Sequence, residues 1–506
     1  MPLERTTLSL NFLCKNSEFI SYMITAIGTL VGILLFIFGI SYESYNTMLS
    51  GVLVIWCTQI IFGFFKIKQR FVMVLFDCTI FIFLLSRTTI SAFRNDTWWY
   101  NYSIDANICA LTLISLSLIF ISLGVLIFEK LSKSKKPNSP SENKNKKSYI
   151  NRESLAIIVR LGLIICMICF FIREIDKLSF MSGKEYAAYY TEYKSQIPYI
   201  IQFPAGCMKY FLCMFLALKP KKIESFIWLG INVASTVPML IIGARGDFIQ
   251  SILFAFTYYC IRSMYEKSWF SKVEKIAVIV CIPLIIVSMG AYNYTREDKE
   301  VKISASELVV DFLYKQGTTY DTVLQGYTYQ DRLPGKDNKH YTFGAITDSV
   351  LYDSLGKLLF DAPEITDGNS LRTAYRSHKF SHAISYVVLG DEYIAGKGRG
   401  SSYIIETYID YGYIGCIMLS LVLGILSSAI PLLFGKKWLG SVIILNMLTN
   451  LFFTPRAESL SFISFIVSYK FWVIILAVTA MAAVAKIIIE KLNLKKFTIF
   501  KWILKI

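Results

Sequence analysis

The segment GKGRGSSYIIETYIDYGYIGCIMLSLVLGILSSAIPLLF (Gly396–Phe434) passes from a glycine-rich polar stretch directly into an apolar run. The apolar part is longer than the roughly 20 residues that a helix needs to cross the hydrocarbon core of a bilayer. Before it, from Thr295 to Tyr408, lies a long polar interval in a chain otherwise made of apolar runs. The segment therefore predicts a membrane helix that follows a large loop outside the membrane.

The composition supports a membrane protein. Of 506 residues, 55% are hydrophobic, which is more than the roughly 45–50% of soluble domains. The net charge of +16 does not require nucleic acid, because Lys and Arg accumulate in the cytoplasmic loops of such proteins, and we predict no nucleic-acid partner. None of the eleven cysteines lies between Thr295 and Tyr408, so we expect no disulfide framework in the loop.

Twelve apolar runs predict an all-α polytopic membrane protein with about 12 transmembrane helices and one large, partly helical exterior loop. The runs are Phe19–Ile40, Thr47–Phe65, Phe71–Arg87, Ile108–Phe128, Leu155–Ile172, Tyr199–Leu218, Phe226–Gly243, Phe248–Ile261, Ile276–Ala291, Ile409–Phe434, Trp438–Phe453 and Phe462–Ile489. They divide the chain into spans 1–9 (residues 1–294), the exterior loop (295–408), spans 10–12 (409–489) and a basic cytoplasmic tail (490–506).

The positive charges predict the orientation. Six basic clusters fall in alternate loops: Lys66–Arg70, Lys130–Lys147, Lys219–Lys222, Lys267–Lys275, Lys436–Lys437 and Lys491–Lys501. By the positive-inside rule these loops and both termini face the cytoplasm of a bacterial plasma (inner) membrane, and the long loop faces outward. In the tail, cations alternate with bulky apolar residues, so we expect it to contact membrane lipid or to dock as a structural helix.

The exterior loop has signs of its own helices. Ser304 and Glu307 form a capping-box pattern ahead of an amphipathic stretch, and Tyr341–Phe360 is a second candidate helix. We therefore expect the loop to be folded.

Arginines at the exterior corners are candidate phosphate ligands. Three corners carry an arginine beside an acid: Arg173 with Glu174, Arg245 with Asp247 in GARGD, and Arg456 with Glu458 in TPRAES. The loop adds Arg372 and Arg376. A guanidinium binds phosphate oxygens in a bidentate manner and keeps its charge when partly desolvated, so these five arginines suit a pyrophosphate. The alternative is local ion pairing or contact with lipid headgroups.

Two residues are candidates for a general base. His378, four residues before His382, titrates near neutral pH and can accept the proton of a sugar hydroxyl. Asp247 is the second candidate, because it shares a turn with Arg245. The HKFSH string lacks the acidic residue of zinc-protease motifs, and the exterior segments show no clean acidic cluster. We therefore predict no metal and no cofactor.

Further polar residues lie near or inside the spans. Tyr403, Glu406 and His382 are candidates for contacts with a glycan, and the tyrosine also suits an interfacial aromatic belt. Lys209 lies near the middle of the sixth span and Asp77 within the third. Charges at such depth mark a functional site or pair with each other.

Short motifs resemble a known family. The pattern G-x-G-x-S-Y-I-x-E-x-Y-x-D-x-G-x-x-G at Gly398–Gly415, the GARGD turn, the MSGKEYAAYYTEYKSQIP loop and the TPRAES corner are similar to the Wzy-type polymerases of O-antigen and capsular repeat units. The resemblance implies a GT-C-like glycosyltransferase, related to O-antigen ligases, that moves a glycan from undecaprenyl pyrophosphate onto the next lipid-linked repeat unit with inversion and without metal. Family arginines correspond here to Arg245 and to Arg372 or Arg376.

Two other functions stay open at this stage: a flippase for lipid-linked oligosaccharides, and a ligase that uses the same donor. A flippase needs charges inside the membrane but not a large exterior loop with basic clusters. For a polymerase, we expect undecaprenyl-pyrophosphate-linked oligosaccharide as substrate, and a chain-length regulator and a flippase as partners.

Overall fold

The computed structural model describes residues 2–134, 152–184, 188–266, 304–352 and 368–491, with isolated positions between 269 and 290 and between 356 and 365. Most of the Lys130–Lys147 cluster, most of the ninth predicted span and the basic tail from residue 492 onward lie outside the described residues.

The described residues before the loop form eight long helices. They are α1 (Pro2–Ser41), α2 (Tyr45–Phe65), α3 (Ile67–Phe93), α4 (Ile104–Ser134), α5 (Arg152–Met181), α6 (Tyr199–Ala217), α7 (Lys222–Ile242) and α8 (Gly246–Tyr265), with short turns of helix at Trp98–Asn101 and Ala188–Thr191. A π-helical turn, Phe81–Leu85, interrupts α3. It directly precedes Ser86 and Arg87, two residues that contact the long loop.

The loop is folded, and its described helices are short. They are α9 (Ala305–Gln316), α10 (Thr319–Tyr329), α11 (Gly344–Leu351), α12 (Leu371–Arg376) and α13 (Phe380–Leu389), with a further turn at Asp391–Ile394. The predicted capping box starts α9: Ser304 Oγ accepts the Glu307 N–H at 3.3 Å, and the Glu307 carboxylate accepts the Ser304 N–H at 2.8 Å. The second candidate helix is present as α11.

The described residues after the loop form three helices: α14 (Tyr403–Leu433), α15 (Trp438–Leu451) and α16 (Tyr469–Lys491). α14 begins inside the predicted loop because its two acids have hydrogen-bond partners in distant segments of the chain. Asp410 accepts the N–H groups of Tyr341 and Thr342 at 3.1 and 2.6 Å, and Glu406 is buried against serines. α16 begins later than the predicted Phe462, since residues 454–468 form turns.

Within the described residues, nine helices are long and apolar enough to cross a membrane by length and composition: α1 to α7, α14 and α16. The eighth predicted span lies in α8, and the eleventh corresponds to the shorter α15. The prediction of an all-α polytopic membrane protein is confirmed.

The packing of α4 against α14 sets the centre of the bundle. A Cβ on Gly124 would lie 2.2 Å from the Leu421 carbonyl oxygen, and one on Gly424 would lie 2.0 Å from that of Ile121. Only glycines at both positions allow the two backbones to approach this closely.

The long loop is fastened to α3. Ser86 Oγ donates to the Leu313 carbonyl at 2.8 Å, and Arg87 forms an ion pair with Asp321. Tyr320, Val323 and Leu324 of α10 are fully buried. The loop therefore packs on the bundle as part of one core and holds the groups described next.

Candidate active site

A polar cleft of about 780 Å³ lies between the long loop and the helices of the bundle. α6, α15 and residues 461–470 form one wall, and α11, residues 373–379 and α13 form the other. The ionisable side chains that line it are Lys209, Asp348, Lys379, His382 and Lys470, and between them lie serine, threonine and asparagine side chains. Such a surface offers cations and hydrogen-bond donors to an anionic, hydroxyl-rich ligand.

Asp348 and His378 form a dyad at this cleft. His378 Nδ1 lies 3.2 Å from Asp348 Oδ1, and the same oxygen accepts the His378 N–H at 2.8 Å. Ser377 Oγ donates to the other carboxylate oxygen at 2.6 Å. With Nδ1 as the donor, Nε2 is left as an acceptor, which is the arrangement of a general base oriented by a carboxylate.

The environment keeps this carboxylate ionised. Burial of Asp348 raises the pKa of its carboxyl group, but hydrogen bonds from His378 and Ser377 outweigh burial and hold that pKa below its usual value. For His382, burial and then the nearby Lys379 lower the pKa, against the opposing pull of Glu458 and Asp348. A neutral His382 is consistent with its Nδ1 lying 2.9 Å from the Tyr393 hydroxyl.

Lys209 joins the cleft to the GARGD corner. Its Nζ lies 3.6 Å from Asp247 Oδ1, and both side chains are close to half exposed. The two residues also line a small cavity that shares Lys209 and Thr449 with the cleft. The alternative that Lys209 pairs with Asp77 is not observed. Asp77 is fully buried in α3, and neither of its carboxylate oxygens has a hydrogen-bond partner among the described residues.

The predicted arginines occupy different surroundings. Arg245 is half-buried at the N-cap of α8, and Arg372 and Arg376 are exposed on α12, which ends where Ser377 begins the dyad segment. Arg173 lies 3.5 Å from its neighbour Glu174 and stacks over Phe170. Arg456 donates to the Gln316 backbone carbonyl and side-chain oxygen at 3.2 and 2.7 Å, so it fastens the TPRAES corner to α9.

Two of the three candidate glycan residues lie inside the packed structure. The Tyr403 ring is fully buried, with its hydroxyl against Ser117 of α4. Glu406 is also fully buried: it accepts hydrogen bonds from the Ser401 hydroxyl and from the N–H and hydroxyl of Ser459, the latter two at 2.7 and 2.6 Å. In these positions both residues support the fold, and of the three only His382 lines the cleft.

Sequence reasoning missed Asp348, Lys379 and Lys470, and it singled out Lys209 without placing it in this site. Asp348 is thirty residues before His378 and sits in a weakly marked helix, so only the fold of the loop brings the two together. Lys379 and Lys470 carry no motif. The one available signal was Lys209, a cation inside an apolar run.

The described residues contain no group of three or more His, Cys, Asp or Glu side chains placed to hold a metal ion. A metal-free reaction stays a prediction.

The sequence was compared with known proteins. The family model described as "O-antigen polysaccharide polymerase Wzy" matches residues 23–486, which is nearly the whole chain. No curated protein and no solved structure gives a significant match.

Proposed function

The chain belongs to the O-antigen polysaccharide polymerase Wzy family, and from this premise we propose that it joins undecaprenyl-pyrophosphate-linked oligosaccharide repeat units into a capsule or an O-antigen. The reaction takes place at the outer face of a bacterial plasma membrane and inverts the configuration of the donor sugar. A chain-length regulator and a flippase are the proposed partners.

The observation that carries the proposal is the polar cleft between loop and bundle. Its ionisable lining comes from membrane helices α6 and α16 and from the exterior loop, and there a lipid-linked head group would meet a glycan. It combines three lysines with a histidine–carboxylate dyad at its edge. Glycosyl transfer from a pyrophosphate requires these two functions: cations for the leaving group and a base for the acceptor.

In the proposed reaction a sugar hydroxyl of the acceptor attacks the anomeric carbon of the donor glycan. The glycosidic bond forms as the bond from that carbon to the pyrophosphate oxygen breaks, and the carrier pyrophosphate leaves with the bonding electrons. The hydroxyl proton passes to His378 Nε2, and Asp348 stabilises the resulting imidazolium. Attack opposite to the leaving group inverts the anomeric configuration.

The leaving pyrophosphate gains negative charge, so fixed cations favour the transition state. The proposed ligands are Arg245, Arg372 and Arg376, together with the cleft lysines Lys209 and Lys379. The bond-breaking step then needs no divalent ion.

The orientation completes the proposal: both termini are cytoplasmic and the loop is exterior. Reporter fusions at Asn338 and Ser141 should report opposite compartments. Activity of both fusions in one compartment would refute this topology.

The test of function is deletion of the gene followed by sizing of the surface glycan and of the lipid-linked intermediates. We expect single repeat units on the outer face of the membrane, and long chains again on complementation. Loss of every exterior repeat unit would indicate a flippase instead. Long polymer that stays on the lipid carrier and is not transferred to an acceptor would indicate a ligase.

The purified protein should also polymerise lipid-linked repeat units in excess chelator, whereas strict dependence on an added divalent ion would exclude the metal-free reaction.

A further inference from the structure

A second, apolar groove of about 440 Å³ runs along the exterior half of α14. Its lining includes Phe343 of the loop, Leu460 of the closing corner, and Tyr411, Ile414, Met418 and Val422 of α14. The four α14 residues recur at intervals of three or four, so they form one face of the helix. This face is uncovered: Ile414 is 72% exposed, Met418 58% and Val422 42%.

The length of the groove matches one leaflet of the membrane. From Tyr411 to Val422 the helix rises about 16 Å, close to half of the ~30 Å hydrocarbon core. The backbone bend at Gly412, where φ is 62°, lies at the upper end of this face. An extended hydrocarbon chain in the outer leaflet would therefore fit along the groove over its whole length.

The groove and the polar cleft share a thin wall. Leu460 lines the groove and the next residue, Ser461, lines the cleft. On the loop side, Phe343 lines the groove, and a Cβ on the adjacent Gly344 would lie 2.1 Å from the His378 carbonyl oxygen. The His378 backbone thus contacts the groove wall, and its ring contacts Asp348 in the cleft.

We propose that this groove binds the isoprenoid chain of a lipid-linked saccharide substrate and thereby places the pyrophosphate beside the dyad. The inference rests on the proposed function. An ordinary phospholipid chain would fit the apolar surface equally well. The continuity with the cleft favours the isoprenoid, because only a lipid whose head group reacts in the cleft gains from a groove whose wall adjoins the His378 backbone.

The test compares variants that fill the groove with a matched control, in the purified full-length protein. Met418→Trp and Val422→Trp place a large ring in the groove. Leu476→Trp places the same ring on α16, where Leu476 is 65% exposed and lies outside both cavities. Each protein is assayed with a donor on a full-length isoprenoid and with a donor on a carrier shortened to a few isoprene units.

For the groove variants we expect the KM of the full-length donor to rise about tenfold, which corresponds to ~1.4 kcal/mol of lost binding. Their kcat, their KM for the shortened donor and both parameters of Leu476→Trp should stay close to wild type. Equal KM values for groove and control variants would overturn the inference, and so would changed phospholipid retention without a change in KM.

A second measurement needs no variant. A full-length donor with a photoreactive group on its isoprenoid chain should label a peptide of wild-type protein that contains Met418. Labelling confined to other helices would overturn the inference even if a tryptophan variant failed to fold. If the wild type joined no repeat units with either donor, the proposed function itself would fail, which is a distinct result.

Discussion

The GARGD and TPRAES corners look alike in the sequence, since each carries an arginine two residues before an acid. In the structure they differ in what surrounds them. Asp247 of GARGD is about half exposed and pairs with Lys209 at the edge of the polar cleft. At TPRAES, Arg456 binds Gln316, Glu458 accepts the Ser381 hydroxyl and Ser459 binds the buried Glu406.

The same pair of residue types, an arginine and an acid, therefore has a different role at each corner. At GARGD, Asp247 and its partner Lys209 line a small cavity beside the cleft, where a ligand can reach them. At TPRAES nearly every polar group reaches a partner on the loop or on α14, so the corner holds the loop to the bundle. Changes at GARGD should reduce activity in a folded protein, whereas changes around TPRAES should reduce stability first.

The largest loss of activity is expected at the His378–Asp348 dyad, and the losses at the two corners are compared with it. His378→Ala should lower kcat about 10²–10⁴-fold, because it removes the general base, while donor binding stays near wild type. Asp348→Asn should cost less, because the base remains and only its orientation and the stabilisation of its charged form are weakened. Steady-state kinetics with purified protein measure both. Normal polymerisation by His378→Ala would move the base assignment to Asp247.

The next effect tests whether GARGD belongs to the site. Lys209→Gln should lower the rate about 10²–10³-fold, since one fixed cation at the leaving group is lost. If Asp247 only positions Lys209, then Asp247→Asn should cost less than Lys209→Gln, and the melting temperature of both variants should stay near that of wild type. If Asp247→Asn is inactive while His378→Ala is active, Asp247 is the base. Wild-type rates for both Lys209→Gln and Asp247→Asn would remove this corner from the site.

The fold class was predictable because hydrophobic length and basic clusters are local properties of the chain. The predicted ends of the spans are wrong where polar side chains have hydrogen-bond partners far away in the sequence. Glu406 and Asp410 made the start of α14 resemble a loop, yet their partners are Ser459 and the backbone of residues 341–342. The candidate histidines were visible in the sequence. Asp348 was not, since nothing near it in the chain indicates that a turn after α12 brings His378 to it.

The TPRAES side is tested by Glu406→Gln. This carboxylate is fully buried and accepts three hydrogen bonds. The amide of Gln keeps an oxygen for the two Ser459 donors, but it presents N–H to the Ser401 hydroxyl and replaces charged hydrogen bonds with neutral ones. We expect a loss of about 2–3 kcal/mol in unfolding free energy, seen as a lower melting temperature in detergent. The control is Glu392→Gln, the same change in an exposed ion pair with Lys397, where we expect little effect. Equal melting temperatures for the two variants would contradict the fastening role.

The smallest effect is expected at the Arg87–Asp321 ion pair, which joins α3 to the loop helix α10. Burial raises the pKa of Asp321 to about 6, and the neighbouring Arg87 and Arg399 oppose burial without cancelling it. The folded state therefore holds this proton more tightly than the unfolded state does. The stability that the proton contributes is fully present below the ordinary pKa of 3.8 and is lost as the pH rises through about 6.

Comparison of wild type with Asp321→Asn isolates this group, because the other carboxylates titrate equally in both proteins. Relative to the variant, wild type should gain about 1 kcal/mol of stability between pH 7 and pH 5. Melting temperatures across that range measure the gain. The control is Asp331→Asn, at an exposed acid paired with Lys336, whose melting temperature should differ from that of wild type by the same amount at every pH. If wild type instead lost stability relative to Asp321→Asn on acidification, the attraction of Arg87 would outweigh burial. The Arg87–Asp321 contact would then resemble the exposed Lys209–Asp247 ion pair at GARGD. It would not resemble the buried contact of Glu406 with Ser459 at TPRAES.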